Sequence, residues 1–117
     1  MNHEIVCVFK LVLDSCNFQT FEKLIAQIVN ATDKELGTLT YLYSVNDEKN
    51  SVHIIERYKE NSLLSHIDTT FSPFAEEFLS LVSITELTVY GHPNQEEKIR
   101  LDKFGAQYLT PFSGFSK

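Results

Sequence analysis

The stretch His53-Ile54-Ile55-Glu56-Arg57-Tyr58 sets an imidazole, a carboxylate, a guanidinium and a phenol among isoleucines, and His66 follows eight residues after Tyr58. In an extended chain alternate residues share a face, so Ile54, Glu56 and Tyr58 lie on one side and His53, Ile55 and Arg57 on the other. Either way a charge sits in mid-strand beside apolar side chains. Charge there is costly unless it is paired or used, so Glu56 or Arg57 needs a partner, and an edge ion pair or a solvent-facing rim would serve as well as a site. His66 falls three residues after Leu63 and one before Ile67, on the inward side of a short helix expected to lie over a sheet. An imidazole there can act as a general base, because its ordinary pKa near 6.5 is close to working pH and a neighbouring carboxylate could orient it. A histidine packed in the core with its nitrogens satisfied fits the same spacing.

Other catalytic patterns are missing. There is no glycine-rich phosphate loop, no GxSxG elbow and no HExxH helix, and His3, His53, His66 and His92 are dispersed without metal-ligand spacing. No metal site is expected. Cys7 and Cys16 lack the CxxC spacing of metal or redox motifs and read as structural thiols, although a helix start near Cys16 could lower its pKa. The net charge of −6 and a pI near 5.1, with ten scattered Lys and Arg residues, argue against nucleic acid as a partner. The start Met1-Asn2-His3-Glu4 has no basic n-region, and Lys10 interrupts the apolar stretch after it. Neither a signal peptide nor a membrane span is expected, which points to a cytoplasmic protein.

The elements that must carry these residues follow from periodicity. Ile5 to Leu13 is a strand apolar on both faces, with Ile5, Cys7, Phe9, Leu11 and Leu13 on one and Val6, Val8 and Val12 on the other. Phe18, Phe21, Leu24, Ile25, Ile28 and Val29 form the stripe of an amphipathic helix, with Ser15 or Asn17 able to cap it. Thr38 to Val45 and Ser51 to Tyr58 alternate as strands around the polar turn Asn46 to Asn50, making a hairpin. From Ser62 to Leu81 apolar residues recur at helical spacing, but Pro73 cannot sit in a helix interior, so two pieces are expected, about 62–67 and 72–81, the second capped by Ser72. Ile84 to Tyr90 is a fourth strand, closed by Gly91-His92-Pro93. Asn94 then caps a short charged helix, and a tail follows that is too apolar to be disordered. Residues 1–91 therefore form one domain, and residues 92–117 an extension packing on it or on a partner subunit.

This order, βαββαβ, is that of an α+β fold, the ferredoxin-like split βαβ with a four-stranded antiparallel sheet and helices on one face. Its other face should be polar if open, yet the first strand is apolar on both sides, and Leu39, Tyr41, Tyr43 and Val45 add a further apolar row. Pairing of two sheets in a homodimer would cover it.

The segments Glu35-Leu36-Gly37-Thr38-Leu39-Thr40-Tyr41 and Glu56-Arg57-Tyr58, with His66 and then Phe71, resemble the antibiotic biosynthesis monooxygenase (ABM) family, including its quinol monooxygenases, over roughly residues 4–91. The resemblance implies a dimeric α/β barrel that oxidises a small aromatic, polyphenol or quinol-like ligand with O2, using no cofactor. It implies His66 as the base, Glu56 orienting it, Tyr58 positioning substrate, and His53, Tyr41 and Phe71 as further substrate-binding residues. The chain departs from the family in having no Trp, and Phe9 and Glu76 stand in the regions where haem-degrading relatives carry Asn and His, which disfavours haem degradation. The competing reading is a non-catalytic dimeric barrel that binds a small ligand, including a stress-response protein. A third is an isomerase or decyclising enzyme, which also needs a base but no O2.

Overall fold

A computed structural model describes residues 3–117. Strand β1 (Ile5–Val12) leads through a 3-10 turn (Ser15–Asn17) into helix α1 (Phe18–Thr32), followed by the hairpin of β2 (Thr38–Val45) and β3 (Ser51–Tyr58). The hairpin turn is held by Asn46, whose Oδ1 accepts from Asn50 N at 3.1 Å and Ser51 N at 3.0 Å, while Lys49 takes the left-handed conformation the turn needs, at φ 61°. Next comes a run of changing helical pitch: α2 (Leu63–Ser65), a π-helix (His66–Phe71), a 3-10 turn (Ser72–Phe74) and α3 (Ala75–Leu81). Strand β4 (Ser83–Tyr90), helix α4 (Gln95–Asp102) and strand β5 (Gln107–Leu109) complete the chain.

The sheet order is β2-β3-β1-β4-β5, antiparallel throughout except that β5 runs parallel to β4. The α+β, ferredoxin-like plan holds, with a fifth strand that the sequence pattern did not reveal. Three residues give too little alternation to read, and their edge position is set by the preceding helix. On the inner face Ile5, Cys7 and Leu11 of β1, Val52, Ile54, Glu56 and Tyr58 of β3, and Leu87 and Val89 of β4 are buried beneath the helices. The core divides into two clusters. One gathers Phe21, Leu24, Ile25 and Ile28 of α1 with Phe78 and Val82, and the other gathers Tyr58, Leu63 and Leu101; Phe9 packs against both.

Three local readings are corrected. Tyr41 and Tyr43 face the helices and not the open side, because a bulge between Thr38 and Thr40 resets the alternation and leaves Leu42 outward. Pro73 does not divide two helices: the backbone stays helical through it, in a 3-10 turn where its missing N–H is tolerated, and Ser72 caps nothing. The cap lies ahead of the 3-10 turn that leads into α1: Asp14 Oδ1 accepts from Cys16 N at 2.8 Å, while Asn17, at the start of α1 itself, makes no capping bond. Asp14 pushes the exposed Cys16 thiol up, which removes the reactivity a helix start would lend it. Asn94 does cap α4, in a full capping box with Glu97. Beyond β5 the tail's Phe112 and Phe115 are exposed.

The turn between α1 and β2 is clamped onto the start of α2. Gly37 O accepts from Lys59 N at 2.8 Å, and a Cβ on Gly37 would lie 2.0 Å from Ser62 Oγ and 2.4 Å from Ser62 Cβ. Only glycine allows that approach. Gly37→Ala should therefore cost about 1–3 kcal/mol through overpacking, read as a fall in unfolding free energy by urea titration. Adding Ser62→Gly should recover most of the loss; no recovery would show that the clash is not the cause.

Candidate active site

A cavity of about 40 Å³ lies between the inner sheet face and the helices. That is room for about one or two waters. Apolar walls come from Phe9, Ile54, Phe71, Phe78, Leu101 and Phe104 among others, and the polar groups at its surface are Tyr41, Tyr43, Glu56 and His66. A larger surface hollow of about 580 Å³ adjoins it, sharing Leu79, Ile84 and Phe104 as a common wall.

His66 opens the π-helix and is only 4% exposed. Widening the helix from its usual pitch brings residues five apart toward one another, and the His66 and Phe71 rings stack at 6.2 Å with 29° between planes. The edge of Tyr41 meets the imidazole at 5.0 Å, and Tyr58 at 5.6 Å. Its hydrogen-bond partner is Glu35 of the turn clamped by Gly37: Nδ1 donates to Glu35 Oε1 at 3.1 Å. Thr38 Oγ1 donates to that same oxygen at 2.6 Å, and Thr70 Oγ1 donates to Oε2. A carboxylate accepting at Nδ1 fixes the tautomer and leaves Nε2 as the nitrogen available to the cavity. Burial lowers the His66 pKa below 6.5, and the Glu35 charge only partly offsets it, so the ring is neutral near pH 7.

Glu56 is the second titratable group of the cavity. Burial pushes its pKa up from 4.5 to about 7, against the Tyr58 hydroxyl, which donates to Oε1 at 2.5 Å, while the charge of Glu35 adds to the rise. The Tyr41 and Tyr43 hydroxyls share one hydrogen bond of 2.9 Å, which uses one of their two protons and leaves the other to donate. Burial, with the nearby Glu56 charge, keeps both phenols protonated. The site therefore joins a neutral imidazole, a carboxyl that gains or loses its proton near neutral pH, and a hydroxyl donor, in apolar surroundings.

The structure brings His66, Glu56, Tyr41 and Phe71 to one cavity. Tyr58 touches the His66 ring and holds Glu56 but does not border the cavity, and its own hydroxyl is spent on that bond. His53 sits on the opposite sheet face, exposed, because it is one residue out of phase with Glu56. Arg57, also outward, pairs with Glu4 at 2.6 and 3.1 Å. The residue that orients His66 is Glu35, to which residue-by-residue reasoning gave no role; its sequence signals were its place at the head of the segment that resembles the ABM family and the Thr38 three residues on.

No family model and no curated protein matches the chain. Its fold does match solved structures. MupZ from Pseudomonas fluorescens superposes with a TM-score of 0.85 at 24% identity, over 100% of this chain and 91% of that one. SnoaB, a cofactor-independent oxygenase from Streptomyces nogalater, does so with 0.66 at 16% identity, over 80% and 96%. A candidate antibiotic biosynthesis monooxygenase from Bacteroides thetaiotaomicron gives 0.64 at 21%, over 80% and 90%. The fold is that of the antibiotic biosynthesis monooxygenases. Within the ABM fold the cavity lies between sheet and helices, bounded on the sheet side by β1, β2, β3 and β4.

The raised Glu56 pKa has a consequence for stability. A carboxyl with a higher pKa folded than unfolded contributes most below the unfolded value of 4.5, and that contribution is lost as pH rises through about 7. At about 1.4 kcal/mol for each tenfold change in proton affinity, the loss is about 3 kcal/mol. The lowered His66 pKa acts oppositely, losing stability as pH falls below 6.5, so the comparison must be made against a variant that keeps His66. Between pH 4.5 and 7.5 the wild type should lose more unfolding free energy than Glu56→Gln; parallel profiles would show that Glu56 is not buried as described.

Proposed function

We propose that this chain is a cofactor-independent monooxygenase acting on a small phenolic, polyphenol or quinol-like substrate with O2. The observation that carries the reading is the neutral His66, fixed through Nδ1 by Glu35 and presenting Nε2 to an apolar cavity that also holds Glu56. The fold shared with SnoaB, itself a cofactor-independent oxygenase, supports the same reading.

In this mechanism His66 Nε2 takes the proton of the substrate hydroxyl, and the free hydroxyl of the Tyr41–Tyr43 pair donates to the anion that forms. The electron-rich anion gives its electrons to O2, and a C–O bond forms at a ring carbon bearing hydrogen, giving a peroxide. Protonated Glu56 supplies a proton to the peroxide. Loss of the C–H proton, with cleavage of the O–O bond, then leaves a carbonyl and water. One oxygen atom stays in the quinone product and the other leaves as water. The dry walls favour this course, since an anion stripped of water is a better electron donor. The cavity is smaller than an aromatic ring, so substrate entry moves Phe104 or Leu79, the wall shared with the outer hollow.

The chain works as a homodimer in this reading. Val6, Val8, Leu42 and Ile55 lie on the helix-free sheet face, flanked by the Lys10–Glu86 and Arg57–Glu4 ion pairs, and a second sheet covers them. Leu42→Asp with Ile55→Asp should convert the dimer to monomer in sedimentation velocity, whereas an unchanged sedimentation coefficient would place the interface elsewhere.

The functional test is O2 uptake by the pure protein with a panel of hydroquinones and polyphenols. His66→Ala should lower kcat/KM by about 10²-fold or more, and Glu35→Gln by less, with a displaced pH profile. Equal uptake in wild type and His66→Ala would overturn the mechanism. Turnover of an enolisable substrate without O2 consumption would point to isomerisation by the same acid and base.

A further inference from the structure

The chain beyond β5 serves no site described so far, yet it starts from a firm anchor. Gly91 N donates to Leu109 O at 3.1 Å, the Tyr108 hydroxyl donates to Asp102 Oδ1 at 2.5 Å, and the Lys98 ammonium lies 4.9 Å from the centre of the Tyr108 ring. Pro111 still borders the end of the sheet beside Ile5 and Gly91. Past it, Phe112 is 98% and Phe115 86% exposed, and nothing lies within 4 Å of the place a Cβ would take on Gly114.

The course of this segment is nonetheless specified. Pro111 fixes its own φ, has no N–H with which to prolong a ladder and biases Thr110 to an extended conformation, while Gly114 bends the chain between the two rings at φ 125°, where other residues are strained. MupZ shares the fold over the whole of this chain, these residues included, whereas SnoaB shares it over 80%. Two phenyl rings on a set course in water are an apolar surface in want of a cover.

The sheet supplies one. Cross-strand pairing aligns Leu42, Ile55 and Val8 in one row of the helix-free face and Val6, Tyr90 and Leu109 in the next, an apolar strip that crosses the sheet from β2 to β5. The segment leaves from the end of that strip. Phe112 follows Leu109 by three residues, and three extended residues span at most about 10 Å. Sheets packed face to face lie about 10 Å apart. Phe112 therefore has just the reach to cross from its own sheet to one laid over it.

We propose that residues 110–117 form an arm that the two copies of the homodimer exchange, with Phe112 and Phe115 packed against the apolar strip of the partner subunit. This rests on the homodimer reading and on no step of the oxidation. A second copy is the occupant because strip and arm are continuous, both apolar, and meet at the edge of the face that the dimer covers; under two-fold symmetry the exchange is mutual.

Sedimentation equilibrium of the full chain gives the dimer dissociation constant. Phe112→Ser with Phe115→Ser should raise it about tenfold or more, while Ile99→Ser, which removes an exposed apolar side chain from α4, should leave it unchanged. Both rings are exposed in the single chain, so the double variant keeps its fold. A second measurement locates the arm: chains protonated only at phenylalanine rings are mixed with chains protonated only at Val, Leu and Ile methyls, so that every ring-to-methyl NOE arises between copies. NOEs that disappear in Phe112→Ser are expected. A wild type that sediments as a monomer at every concentration would overturn the arm and the homodimer together. A dimer whose constant ignores the loss of both rings, or rises as much with Ile99→Ser, or a dimer without the Phe112 NOEs, would overturn the arm alone and leave the sheet pairing in place.

Discussion

The carboxylate of Glu35 ties the site together. It accepts from Thr38, Thr70 and His66, which belong to the start of β2, the far end of the π-helix and its first residue. Each donor alone is a modest interaction, but a charged acceptor strengthens all three and makes their geometry interdependent. The π-helix is stabilised at both ends by this one group, and the stacking of Phe71 on His66 follows from the wider pitch. Gly37 lets the turn bearing Glu35 come close enough to Ser62 for the arrangement to exist.

A second polar group is buried on different terms. Glu56 has only the Tyr58 hydroxyl as a partner, and burial outweighs that single bond, so its proton affinity rises. Glu35 is held by three donors, whereas Glu56, with one, is left to share a proton with whatever enters the cavity. Two carboxyls on the same sheet and turn therefore have different chemistry because of donor number and burial, not residue type. The neutral His66 follows from burial that outweighs the Glu35 charge.

The sheet serves both of its faces. Inner residues of β1, β2 and β3 wall the cavity, while Val6, Val8, Leu42 and Ile55 stand on the outer face with ion pairs at its margin. Alternation along each strand couples the two: a one-residue slip of β3 would exchange Glu56 for Arg57 or Ile55 in the cavity. The bulge in β2 matters for this reason, since it sets Tyr41 opposite Glu56.

Periodicity in the sequence determined the α+β plan, the stripe of α1, the hairpin, the cap of α4 and the shared face of Ile54, Glu56 and Tyr58, because these depend on neighbours within a few residues. It also singled out His66 and Glu56 as groups in need of a partner. It could not say which partner each would find. Glu35 and His66 are 31 residues apart, and their bond depends on how a turn docks on a helix. The π-helix, the inward turn of the tyrosines and the parallel β5 are likewise results of packing, since a local pattern of period 2 or 3.6 contains no information on a bulge, a change of pitch or an edge reached through a helix. The elements were written in the chain, and the site was made by their assembly.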